Sequence, residues 1–197
     1  MPSSTKLSGA LLFAGGTTFI IFNTIAEGSY QGYNIGTRAL SDLGAIGSPT
    51  RFLWDGQLFA TGVLGFLGML VLFSGPALKI GNRRFTGLLY LLPNIGTVLV
   101  SLFPENFIPS MHAASAFVVF LFGGIDAVYS YRFTTSPFRY FAVLLGAFSL
   151  ASIGLFSVAG EFGFGLIERM VVYPYAIWGL AFGGYLMSLP APQEVSV

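Results

Sequence analysis

The chain holds one histidine, His112, and it stands seven residues after Glu105 in the segment FPENFIPSMHAAS. A neutral imidazole and a carboxylate that meet across a turn make an acid–base pair or two ligands of a metal ion. Ser110 is placed as the N-cap of the helix that follows, where the helix dipole disfavours the imidazolium. The plainer alternative is a helix-end histidine bonded to a loop carbonyl. Asp42, in the turn SDLG from Ser41 to Gly44, is the third group of this kind. Asp42, Glu105 and His112 are therefore the candidate catalytic acids, bases or metal ligands.

A second group lies in GEFGFGLIERMVVYP, where Glu168 and Arg169 are followed one turn later by Tyr173. Charged groups so near a hydrocarbon boundary need partners inside the protein. Arg169, assisted by Tyr173, suits an anionic group such as a phosphate, and Glu168 and Ser41 complete the candidate ligand-binding set. Equally, Arg169 serves as a tie that holds a long loop through Asp42. A third pattern, Tyr90, Asn94, Thr97 and Ser101, repeats at spacings of four, three and four, which gives one polar stripe on a helix interrupted by Pro93. Such a stripe lines a water-filled cavity or packs closely against a neighbouring helix.

The elements that must position these groups are membrane-spanning helices. The composition is 54% hydrophobic and 9% charged, with mean hydropathy +0.77, whereas soluble domains carry about 25% charged residues. The uncharged run from Leu7 to Ala26 matches the ~20 residues that cross a bilayer. It is too long for a signal-peptide core and is expected to be retained. Further apolar segments fall at about 52–73, 85–102, 111–131, 138–158 and 165–187. The expectation is one polytopic domain over residues 1–197, an all-α integral membrane six-helix bundle.

Its one long connection, Glu27 to Arg51, is also its most polar stretch. Ala39, Leu40, Leu43 and Ile46 are spaced there for a short amphipathic helix that folds back as a cap.

Six spans put both termini on one side. Lys6, Lys79, Arg83, Arg84, Arg132 and Arg139 gather there, against Arg38, Arg51 and Arg169 opposite, so the termini are expected to be cytoplasmic and the long loop outside. Glu27, Asp42, Asp55, Glu105, Glu161 and Glu168 all fall at the outer ends, while Asp126 at the inner end of the fourth span is expected to pair with Arg132 or Arg139.

There is no cysteine, which excludes disulfides, iron–sulfur clusters and thiol nucleophiles. A formal charge of +1 and the lack of a basic–aromatic run argue against nucleic acid. No cofactor is indicated. GEFGFG lacks the Lys and Ser/Thr of a phosphate loop, and the tail PAPQEVSV reads as a short disordered end.

LSDLGA at Leu40 to Ala45, an aromatic-rich second span, FPEN…H, and ER…YP…W from Glu168 to Trp178 resemble a prokaryotic, mainly archaeal, family of six-span membrane proteins of unknown function. More distantly, the Ser-Asp-x-Gly turn after the first span is similar to that of the eukaryotic DRAM-like group, some of whose members are tied to lipid remodelling. The resemblance implies six helices and a distinctive outer face, and carries no catalytic mechanism with it.

Two functions are weighed. One is a non-catalytic module or accessory subunit in the cell membrane that binds lipids or other membrane-protein subunits. The other is an enzyme acting on a lipid headgroup or polyprenyl-linked substrate at the outer surface. A transporter would need inverted repeats and midplane charges, and only Pro93–Asn94 fits.

Overall fold

A computed structural model describes residues 4–75 and 80–190. Lys79 and the tail from Ala191 lie outside the described residues. The helices are α1 (Ser4–Ser29), α2 (Arg51–Ser74), α3 (Arg83–Leu102), α4 (Pro109–Tyr129), α5 (Phe138–Ile153), the single turn α6 (Ala159–Phe162) and α7 (Phe164–Ser188). Six helical stretches are long and apolar enough to cross a membrane, the fifth running from Phe138 through a 3₁₀ segment to Phe162. Every described element is helical.

Each long helix packs on its neighbour in the chain, and α7 returns to α1, so the six close into a ring. Only α4 and α7 also touch across it to any extent, which leaves α5 on the rim and a lumen among α1, α2, α3, α4 and α7. Closure depends on glycine. A Cβ built on Gly183 would lie 2.6 Å from the backbone nitrogen of Phe13, and one on Gly9 would lie 2.6 Å from the Gly183 carbonyl oxygen. Helices approach this closely in lipid because small residues let dispersion contacts and weak backbone interactions substitute for a hydrophobic drive. The same crossing places the first and last turns of the bundle at one end.

That end is sealed by an aromatic floor. Tyr90, Trp178 and Phe182 are fully or almost fully buried with Met69, Leu72 and Leu186, and the Trp178 and Phe182 rings stack with centroids 5.2 Å apart. Asp126 is enclosed beside this floor, and neither carboxyl oxygen makes a hydrogen bond. The expected pairing with Arg132 or Arg139 is not formed. Those two arginines lie past the end of α4 and spread over the rings of Tyr129 and Tyr131, while Asp126 faces inward.

The opposite end is closed by the loop between α1 and α2. It does fold back as a cap, but its only helix is the 3₁₀ turn Ser41–Gly44. Ala39, Leu40 and Leu43 are buried, each full burial contributing about 1.5–3 kcal/mol for a Leu. Ile46, expected on the same apolar face, is 46% exposed because the 3₁₀ turn ends before it. α4 starts two residues earlier than expected, at Pro109, whose missing N–H costs nothing at the first helical position. Ile108 then occupies the cap position, and Ser110 lies inside the first turn rather than capping it.

The ring-closing role of Gly183 is checked against its neighbour Gly184, where an added Cβ meets open space. Gly183→Ala is expected to cost about 1–3 kcal/mol by overpacking and to lower the melting temperature of the detergent-solubilised protein, whereas Gly184→Ala leaves it unchanged.

Candidate functional site

The capped end is organised by Arg169, one turn into α7. Its Nε and Nη2 donate to Glu27 Oε1 at the end of α1, at 3.1 and 2.7 Å, and Nη2 also donates to the Tyr33 hydroxyl at 2.8 Å. Nη1 donates to the carbonyls of Ile35, Arg38 and Gly165 at 3.0, 3.2 and 2.7 Å. Every guanidinium nitrogen is thus engaged, and none is left for a phosphate. The loop-tying alternative is the one the geometry realises, through Glu27 and backbone carbonyls instead of Asp42. Asp42 pairs with Arg38 at 2.9 Å within the cap.

Tyr173 joins the same cluster. Its hydroxyl accepts from Asn23 Nδ2 at 2.9 Å and donates to Glu27 Oε1 at 3.3 Å, while Trp54 Nε1 donates to Asn23 Oδ1 at 3.1 Å. α1, α2, α7 and the cap therefore share one polar network. Tyr33 donates to the Ala39 carbonyl at 2.6 Å, and burial pushes its phenol up to about 12, so it remains a donor across ordinary pH.

The cap can lie this close to α7 because of GEFGFG. Gly163 has φ +90°, and a Cβ on Gly163 or Gly165 would collide with the carbonyl oxygens of Gly36 or Arg38. In sequence, GEFGFG lacks the residues of a phosphate loop and shows no plain sign of this packing role. The signal available was Gly-x-Gly immediately before a membrane-embedded arginine.

On the other side the cap is fastened by the α3–α4 connection. Asn106 and Ile46 exchange two hydrogen bonds, Ile46 N to Oδ1 at 2.8 Å and Nδ2 to the Ile46 carbonyl at 3.0 Å. Glu105 meets the Ser41 hydroxyl and the Asp42 carboxyl. Burial first, and then the adjacent Asp42, raise Glu105 to about 7. The pair is best held together when Glu105 carries a proton.

His112 does not join Glu105 and Asp42 in a metal site. Among the described residues no three His, Asp or Glu side chains gather as a ligand set. Instead His112 Nδ1 lies 2.8 Å from the Phe103 carbonyl oxygen, which the end of α3 leaves without a helical partner. That bond assigns the proton to Nδ1, so the neutral ring offers Nε2 as an acceptor.

Beneath the cap is a chamber of about 50 Å³ bordered by Ser41, His112 and Glu168 at its polar side and by Trp54, Val100 and Phe120 among its apolar walls. Glu168 is 8% exposed. One of its oxygens accepts from the Leu40 backbone N–H, and among the described residues no protein donor reaches the other. Thr97, Val119 and Val172 border this chamber and also a second one of about 80 Å³, which descends past Gly15, Gly65 and Asn94 to Trp178 on the floor. Either is several times the ~10–15 Å³ that one water needs.

The stripe of α3 shows both of its alternatives. Tyr90 donates to the Asp126 carbonyl at 2.6 Å, Asn94 and Thr97 donate to backbone carbonyls one turn back, and Ser101 donates to that of Val98, so all four are satisfied as packing residues. Asn94 and Thr97 nevertheless face the lower chamber.

A ring of six membrane-length helices, capped at one end and hollow beneath the cap, defines a small polytopic membrane protein. Residues 13–185 match the family described as "Protein of unknown function (DUF998)", and the chain belongs to it. No curated protein and no solved structure matches it.

Two measurements address the cap. Arg169→Met strands Glu27 and the cap carbonyls, and breaking such a buried pair is expected to cost about 3–5 kcal/mol and to expose the 30–40 segment to protease. Adding Glu27→Leu recovers part of that loss. Because Glu105 titrates higher in the folded protein than in the unfolded chain, its stabilising contribution is complete at pH 4 and is lost as the pH rises through about 7. The wild-type melting temperature should therefore fall between pH 5 and pH 8 by more than that of Glu105→Gln.

Proposed function

We propose that this protein is a non-catalytic lipid-binding module of the cell membrane, with the cap on the outer face and the termini in the cytoplasm. The observation that carries the reading is the paired chamber. Its polar groups sit together under the cap, and its deeper walls are apolar and rich in glycine. An amphipathic molecule meets that profile head up and tail down. The distribution of Lys and Arg supports the orientation. The Ser41–Gly44 turn, through which the chain resembles the DRAM-like group, forms part of the chamber roof.

A catalytic reading has one observation in its favour, namely that Ser41, His112 and Glu168 border a single cavity. Arg169, however, has no donor left for a headgroup phosphate. Binding requires neither an activated nucleophile nor a free cation.

Native mass spectrometry of gently solubilised protein tests the proposal. Wild type is expected to retain a stoichiometric lipid. Val119→Phe, which places a ring where the two chambers join, is expected to lose it while keeping its helical content. Wild type free of lipid, or equal retention by both proteins, would count against the chamber as the site. Release of a new headgroup or acyl product on incubation with labelled lipids would instead favour the enzyme.

A further inference from the structure

We infer that the chamber selects a single-chain amphiphile whose head donates hydrogen bonds and carries no negative charge, a hydroxyl or a protonated amine. The inference rests on the lipid-binding reading and specifies its ligand class. The polar side of the chamber offers acceptors and no cation. Glu168 keeps one oxygen on the Leu40 N–H, and among the described residues no protein donor reaches the other, in a side chain more than nine-tenths buried at the chamber wall. His112 spends its Nδ1 proton on the Phe103 carbonyl and presents Nε2. Thr97 gives its proton to the Pro93 carbonyl.

Among the described residues no Lys or Arg borders either chamber. Arg169 is the neighbour of Glu168 in sequence, yet its guanidinium is taken by Glu27, Tyr33 and cap carbonyls. An anionic head would face the Glu168 carboxyl and the acceptor atoms of His112 and Thr97 with no counter-ion, and an unpaired buried charge is costly. A donor head satisfies the same groups.

The size of the chamber argues for one chain. The two parts, of about 50 and 80 Å³, meet at Thr97, Val119 and Val172, and together they approach the ~150 Å³ of an engineered apolar cavity that binds benzene. The remainder of a longer tail needs an exit. Ala176 borders the lower chamber and also a further pocket lined by Ile20, Thr24, Tyr173 and Ile177, which gives a longer tail a path out.

The test is thermal stabilisation of the purified full chain in mild detergent by probes of matched chain length: 1-monooleoylglycerol, oleylamine and oleic acid. Monooleoylglycerol, oleylamine or both are expected to raise the melting temperature in a saturable way, and oleic acid is not. A shift with the glyceride alone assigns a neutral hydroxyl head, and one with the amine alone assigns a cationic head. Glu168→Gln can keep its carbonyl oxygen on Leu40 N–H and turn an amide donor toward the chamber. It should weaken the donor heads roughly tenfold, the worth of one charge-assisted hydrogen bond, and admit oleic acid.

Oleic acid binding the wild type as well as the others do would overturn the inference while leaving the lipid-binding reading in place. Donor-head binding that survives Val119→Phe unchanged would overturn it by moving the site elsewhere. No stabilisation by any probe would remove both readings.

Discussion

The structure depends on the requirement that a guanidinium at the membrane boundary have partners for all its donors. Arg169 finds them in Glu27 on α1 and in backbone carbonyls of the loop. Those carbonyls have no strand or helix to satisfy them, and bare backbone so near hydrocarbon is as costly as an unpaired side chain. Each solves the other's problem. The cap is ordered by a charge, and the charge is tolerable because the cap is ordered. Glu27 receives the Tyr173 hydroxyl and the Asn23 amide as well, so α1 and α7 are fixed to one another at the end where the cap begins.

At the far end the same two helices are joined by glycine instead of charge. The contact of Gly9 with Gly183 brings backbones together and draws the ring shut. Glycine acts again higher up, beside the lower chamber, where a Cβ on Gly16 would meet Leu180 at 2.8 Å and one on Gly65 would collide with the Asn94 side chain. Aromatic packing around Trp178 closes the hollow below, and Leu40, Trp54 and Leu58 close it beneath the cap.

The division of polar groups at the capped end follows from this arrangement. The cation and the two tyrosine hydroxyls are used between α1, α7 and the cap, whereas Glu168, His112 and Ser41 border the chamber. A cluster that appears mixed in sequence is sorted by the fold into a structural clamp and the polar side of a chamber.

Much of this was legible in the amino-acid order. Hydropathy and length are local properties, so the six spans, the break at each charged or Pro/Gly-rich connection, and the long polar segment that returns as a cap could be read directly. Partner choice could not. Arg169 meets Glu27, 142 residues away, because α7 closes the ring against α1. Asp42 is nearer in the expected picture but is held by Arg38. His112 turns to the Phe103 carbonyl and Asp126 turns away from both arginines because helix rotation decides which face looks inward. The sequence by itself determined that the chain crosses the membrane six times and gathers its rare polar residues at one end. Only the tertiary structure decided which of them clamp the cap and which face the chamber, because helix order and rotation are set by close contacts between glycines far apart in the chain.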